Sequence, residues 1–232
     1  FLQEGPIAPS QCQHVFSFEM ETNAISTGSE VLDYVETGDP RHRTGVRDAA
    51  ADFSRFHAQY VDLAGDDQQR RYADQVGAAY GQFLEHGEFA MNLNDEKEDL
   101  YSSVSMAFAE IEQTIDHRIA ADHATGAQLD DLGVVELRTL EAGAAEVHAR
   151  LGLYLASGLP AYQEAMQEST SDFRAHLARY RNTHSSIDEA SFADKVVSEF
   201  DRYLALAEQI VSVDESIKAE TQDLIALRID LV

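Results

Sequence analysis

The chain aligns with itself, without a gap, when it is shifted by 120 residues. The segment Val31–Pro40 falls on Leu151–Pro160, and both contain the pattern Tyr-x-x-x-Gly-x-Pro. Over the 61 positions from Val31, 12 residues are identical, and most of these are apolar or turn residues. Self-similarity at a fixed period indicates that one structural unit occurs twice.

Each copy is predicted to form three helices, because its apolar residues recur at steps of three and four. In the first hairpin Gly38 ends a helix in the left-handed conformation, Asp39 caps the next helix and Pro40 occupies its first turn. The second hairpin, Gly158-Leu159-Pro160, lacks the capping side chain. The third helix of each copy is predicted to be long, at about 45 to 55 residues, or roughly twice the length of the others.

These lengths predict an all-α fold with six helices, four short and two long. Each long helix must extend beyond one short hairpin, so its two halves serve different bundles. We expect two stacked four-helix bundles. One contains residues 10–92 and 213–232, and the other contains residues 93–212. The first and last segments then meet at one pole, and both ends are expected to lead into transmembrane helices.

Composition excludes several classes of function. With 42 acidic residues, 17 lysines and arginines and a net charge of −25, the chain would repel nucleic acids and anionic membranes. None of its nine histidines has Glu three residues before it, which argues against a di-iron bundle. No nucleotide-binding, metalloprotease or serine-hydrolase motif occurs, and the single cysteine, Cys12, permits no internal disulfide. The sequence therefore predicts no enzyme, metal or cofactor.

The paired Tyr-x-x-x-Gly-x-Pro hairpins, the two long helices and the expected position of the ends resemble the helical bimodular sensor domain. This domain occurs in bacterial chemoreceptors (methyl-accepting chemotaxis proteins) and sensor kinases. The resemblance implies a periplasmic, ligand-binding portion of an inner-membrane receptor that recognises a small organic acid inside one bundle. It also implies a homodimer in the full receptor. Some members of the family bind a periplasmic binding protein instead, so the alternative to a ligand-binding domain is an interaction module that docks such a protein.

The candidate ligand-binding residues are polar groups that the helix register places toward the bundle interiors. Antiparallel pairing places Arg138 level with Tyr180 and close to His176, and an arginine with tyrosine hydroxyls suits a carboxylate. The predicted set in the bundle of residues 93–212 is Arg138, Arg150, Tyr154, His176, Tyr180 and Tyr203, and in the bundle of residues 10–92 and 213–232 it is Arg228.

Structural roles remain open for the same residues. Arg138 and Arg150 border the apolar stripes, so they could instead extend into solvent or pair with Glu141 and Glu98. His176 could be a core histidine and Tyr154 a packing residue of its hairpin. A cationic ligand, attracted by the negative charge, is a further alternative.

Overall fold

The computed structural model describes the backbone of residues 9–125, 131–184 and 186–231, and the side chains of residues 11–121, 133–184 and 186–227. Within these ranges the protein contains six α-helices and no strand, which confirms the predicted all-α class. The helices are α1 (Pro9–Thr37), α2 (Pro40–Leu63), α3 (Asp67–Thr125), α4 (Asp131–Ser157), α5 (Pro160–Thr183) and α6 (Ile187–Leu231). The helices α3 and α6, with 59 and 45 residues, are the two long ones.

The two helical hairpins have the same backbone geometry. Gly38 and Gly158 have φ angles of 67° and 66°, a left-handed conformation that glycine adopts without the steric cost of a Cβ. Their amides donate to the carbonyls of Tyr34 and Tyr154 at 2.8 and 2.7 Å. Asp39 accepts from the backbone N–H of Arg41, whereas Leu159 makes no such cap. Both hairpin predictions are confirmed.

The helices divide into two compact units. Unit 1 contains α1, α2, the part of α3 up to Glu96 and the part of α6 from Val213. Unit 2 contains the part of α3 from Lys97, all of α4 and α5, and α6 up to Ser212. Each unit is therefore a bundle of four helical segments, and α3 and α6 contribute to both.

Each unit has its own core. In unit 1 the buried side chains include Val31, Phe53 and Phe83, and Leu224 of α6 packs with them. In unit 2 a larger cluster extends from Val104 to Val211. In unit 2 the helices α3 and α6 are antiparallel, since Thr114 contacts Glu199 and Arg118 contacts Glu189. In unit 1 the two helices are joined by the contact of His86 with Glu220.

No helix within the described ranges is both long and apolar enough to cross a membrane.

Candidate functional site

A buried carboxylate joins three helices of unit 2. Glu189, in the first turn of α6, is 7% exposed, and its Oε2 accepts a hydrogen bond from the hydroxyl of Tyr180 on α5. Its other oxygen, Oε1, accepts from the guanidinium of Arg118 on α3. A guanidinium and a phenol that converge on one carboxylate form a strong, charge-assisted arrangement.

Local sequence explains why Glu189 lies at this position. Ser186 precedes α6, and its Oγ accepts from the backbone N–H of Glu189 at 3.2 Å. This is the serine half of the Ser-x-x-Glu capping box. The Glu189 side chain instead extends inward to Tyr180 and Arg118. The start of α6 is thereby attached to the unit interior by a carboxylate.

A histidine and a second carboxylate lie next to this arrangement. The ring of His184 stacks on Tyr180, with centroids 4.5 Å apart. His184 Nδ1 lies 3.1 Å from the Tyr180 carbonyl oxygen and 3.4 Å from Glu136 Oε2 of α4. All four helical segments of unit 2 therefore contribute a polar side chain at the end where α6 begins. We call Arg118, Glu136, Tyr180, His184 and Glu189 the carboxylate cluster.

A second polar pair lies deeper in unit 2. The hydroxyl of Tyr203 lies 3.4 Å from Nδ1 of His148, whose ring stacks on Phe108 with centroids 4.4 Å apart. Burial lowers the pKa of His148 and raises that of Tyr203, and nearby Tyr101 raises the latter further. Both shifts favour the neutral forms. Because 14 positions of α6 separate Tyr203 from Glu189, about 21 Å at the rise of a helix, this pair does not belong to the carboxylate cluster.

The two predicted arginines of unit 2 do not reach its interior. Arg138 is exposed and forms ion pairs with Glu141 and, at 3.1 Å, with Asp116. Hydrogen bonding to Glu141 is the main cause that raises the pKa of Arg138. Arg150 pairs with Glu146 of its own helix at 3.1 Å. The guanidinium that shares a carboxylate with the Tyr180 hydroxyl is that of Arg118, whereas Arg138 pairs with Glu141 and Asp116.

The other predicted residues have diverse positions. Tyr180 and Tyr203 are buried at 1% exposure, and Tyr154 belongs to the core beside its hairpin. His176 is only half-buried, because the next residue, Leu177, occupies the core position that the sequence assigned to the histidine. The side chain of Arg228 lies outside the described residues.

Sequence reasoning missed Arg118 as a candidate ligand residue, although a signal was present. The apolar stripe of α3 runs through Ile111 and Ile115, and one further step of three reaches Arg118. The sequence indicates Glu189 only as the second member of a Ser-x-x-Glu capping box, and its contact with Tyr180 depends on the path of the chain between α5 and α6.

The donors of the carboxylate cluster can hold a carboxylate. Arg118 and Tyr180 form a socket for a carboxylate, which the protein fills with its own Glu189. Among the described side chains, no three His, Cys, Asp or Glu residues are grouped so that they could hold a metal ion.

Comparison of the chain with family models, with curated proteins and with solved structures finds no match.

Proposed function

We infer that this chain is the extracytoplasmic ligand-sensing domain of a bacterial transmembrane receptor, of the helical bimodular kind, and that unit 2 binds a small organic acid. One observation carries the proposal: Arg118 and Tyr180 hold a buried carboxylate that belongs to the first turn of α6. A ligand carboxylate has the same charge and acceptor geometry as the Glu189 side chain, so it can take the place of Glu189.

Replacement of Glu189 would release the start of α6 from the interior of unit 2. Since α6 is one continuous helix that belongs to unit 2 before Val213 and to unit 1 after it, a displacement of its first turn can be transmitted along its length. A ligand shifts the equilibrium between the attached and the released first turn only to the extent that it binds one of these two states more tightly. We expect α1 and the last part of α6, which both belong to unit 1, to be connected to membrane-spanning helices.

The test is a thermal-shift screen with acetate, succinate and citrate. At least one of these acids should raise the melting temperature at millimolar concentration, because a ligand that binds only the folded form stabilises it. The increase should disappear in Arg118→Gln. It should persist in Arg174→Gln, which removes an exposed arginine of unit 2 that pairs with Asp201. An unchanged melting temperature with every acid, or equal loss of the effect in both variants, contradicts organic-acid binding at this socket.

A docking module for a periplasmic binding protein is the second candidate. Two apolar side chains are exposed at the end of unit 2 that carries the carboxylate cluster: Val135 at 59% and Ile187 at 87%. Val135 precedes Glu136, which contacts His184, and His184 lies three positions before Ile187. This candidate predicts that Ile187→Ser abolishes binding of the partner while the acids leave the melting temperature unchanged. In either case we expect the full receptor to be a homodimer.

A further inference from the structure

A cleft opens in unit 1 between α1, α2 and α3. Its cavity volume is about 80 Å³, which suits a ligand of a few heavy atoms rather than a drug-sized one, whose sites measure roughly 300 to 1,000 Å³. Its lining includes Ser17, Met20 and Glu21 of α1, Phe53 of α2, and Tyr72 and Val76 of α3. One of these side chains carries a charge, that of Glu21, and the others are apolar, aromatic or hydroxyl-bearing.

The inner wall of the cleft is held in place by contacts within unit 1. Phe53 is 3% exposed, and its ring stacks on Tyr80 with centroids 3.6 Å apart. The Tyr80 hydroxyl shares a 2.8 Å hydrogen bond with Thr27 Oγ1 of α1. The rings and this hydrogen bond connect all three helices that border the cleft. The cleft is therefore formed without a ligand, which reduces the entropy cost of binding.

The internal repeat shows that the two units differ at a residue that lines this space. At the 120-residue shift Ser17 corresponds to Leu137, which is fully buried in the core of unit 2. Phe53 corresponds to Phe173, whose ring packs on Phe200 with centroids 4.0 Å apart, just as Phe53 packs on Tyr80. The aromatic pair is thus common to both units. A serine in unit 1 leaves open the space that a leucine fills in unit 2.

The same comparison shows that the charge in the cleft is available to a ligand. Glu21 corresponds to Glu141, which is paired with Arg138. The position of that arginine is occupied in unit 1 by Phe18, which is exposed. Among the described residues, no side chain forms an ion pair or a hydrogen bond with the Glu21 carboxylate. Among the described residues, unit 1 therefore keeps the carboxylate of this position without the arginine that neutralises it in unit 2.

We propose that the cleft of unit 1 binds a small organic ammonium ion, with its cationic head at Glu21 and its hydrocarbon part against Met20, Phe53 and Val76. Tyr72, at 47% exposure, offers an aromatic ring to the same cation. The net charge of −25 attracts cations to the protein and disfavours an anion in this cleft. This site is separate from the carboxylate cluster of unit 2 and does not depend on the sensing role.

The test is a titration of the 232-residue chain with butylammonium chloride, followed by calorimetry and amide chemical shifts. The buffer contains about 0.15 M sodium chloride, which screens long-range attraction. Saturable binding is expected, with shifts concentrated around the cleft. Glu21→Gln should weaken binding about tenfold, since it removes a charge-assisted contact. The matched variant Glu141→Gln, at the equivalent position of unit 2, should leave the affinity unchanged.

Two further variants reproduce features of unit 2 in unit 1. Ser17→Leu should fill the cleft, and Phe18→Arg should neutralise Glu21 from an exposed position that does not affect folding. Val15→Arg adds the same charge at another exposed position of α1 and should not change the affinity. The proposal is overturned if butylammonium does not saturate, or if Glu141→Gln and Val15→Arg weaken binding as much as their counterparts. Because acids and the amine are titrated separately, failure of one site leaves the result for the other intact.

Discussion

The difference between the two units at one pair of positions predicts a large asymmetry in stability. Leu137 and Ser17 are equivalent in the repeat, but Leu137 is fully buried in its core whereas Ser17 is half-buried and lines the unit 1 cleft. We therefore consider the reciprocal variants Leu137→Ser and Ser17→Leu. Each places in one unit the residue that the other unit carries.

The magnitudes follow from burial. Removal of a fully buried leucine side chain costs about 2 to 5 kcal/mol, and a hydroxyl in its place has to be desolvated, so Leu137→Ser should cost about 3 to 5 kcal/mol. Ser17→Leu adds apolar surface that stays partly exposed. Complete burial of a leucine side chain is worth roughly 2 kcal/mol, and a half-buried one gains about half of this. The loss of side-chain entropy reduces the gain, so the net stabilisation should be about 0.5 kcal/mol.

Urea unfolding followed by circular dichroism measures both variants against the wild-type chain. Separate unfolding of the two units would appear as two transitions, and Leu137→Ser should then shift only that of unit 2. The reasoning is refuted if Leu137→Ser lowers the free energy of unfolding by less than about 1 kcal/mol, because removal of a fully buried leucine side chain lowers it by more than this. It is refuted equally if Ser17→Leu destabilises by more than about 1 kcal/mol, because the cleft would then lack the space assigned to it.

Three further predictions concern the second copy of the repeat. Leu159→Asp should supply the cap that Asp39 provides in the first hairpin and stabilise the chain by up to about 1 kcal/mol in the same urea assay; a loss of stability would contradict this. Gly158→Ala should cost about 1 to 2 kcal/mol because φ is 66°, whereas Gly152→Ala should be neutral or stabilising, because an added Cβ at this position of α4 would have open space around it. Burial lowers the pKa of His148 in the folded chain, so the unfolded chain binds a proton at this residue at a higher pH than the folded chain does. The free energy of unfolding should therefore fall as the pH drops below about 6.5. His148→Gln should reduce the loss of urea midpoint between about pH 7.5 and 5.5, and an unchanged loss would exclude this histidine as its source.

The hairpins and the helical class could be predicted because their determinants are local. Gly38 and Gly158 adopt left-handed conformations next to prolines that start the following helices, and these preferences act within a few residues. The lengths of α3 and α6 followed from apolar spacing that continues without a break. The internal repeat supports each prediction, because the same turn pattern occurs in both copies.

The carboxylate cluster could not be predicted in the same way, because it depends on how each helix is rotated. Successive residues of a helix point about 100° apart, so an error of one position exchanges a buried side chain for a half-buried one, as with Leu177 and His176. The spacing on α4 brought Arg138 near the interior, but its guanidinium pairs with Glu141 and Asp116 at the surface.

Local sequence thus settled which segments are helical and where they turn, since backbone conformation responds to neighbouring residues. Packing between helices selected Arg118 and Tyr180 to hold Glu189, three residues that lie on different helices. Packing likewise left space beside Ser17 and closed it around Leu137, although both residues occupy the same position of the repeat. Contacts between segments far apart in the chain depend on the geometry of the whole bundle, which no local pattern of residues specifies.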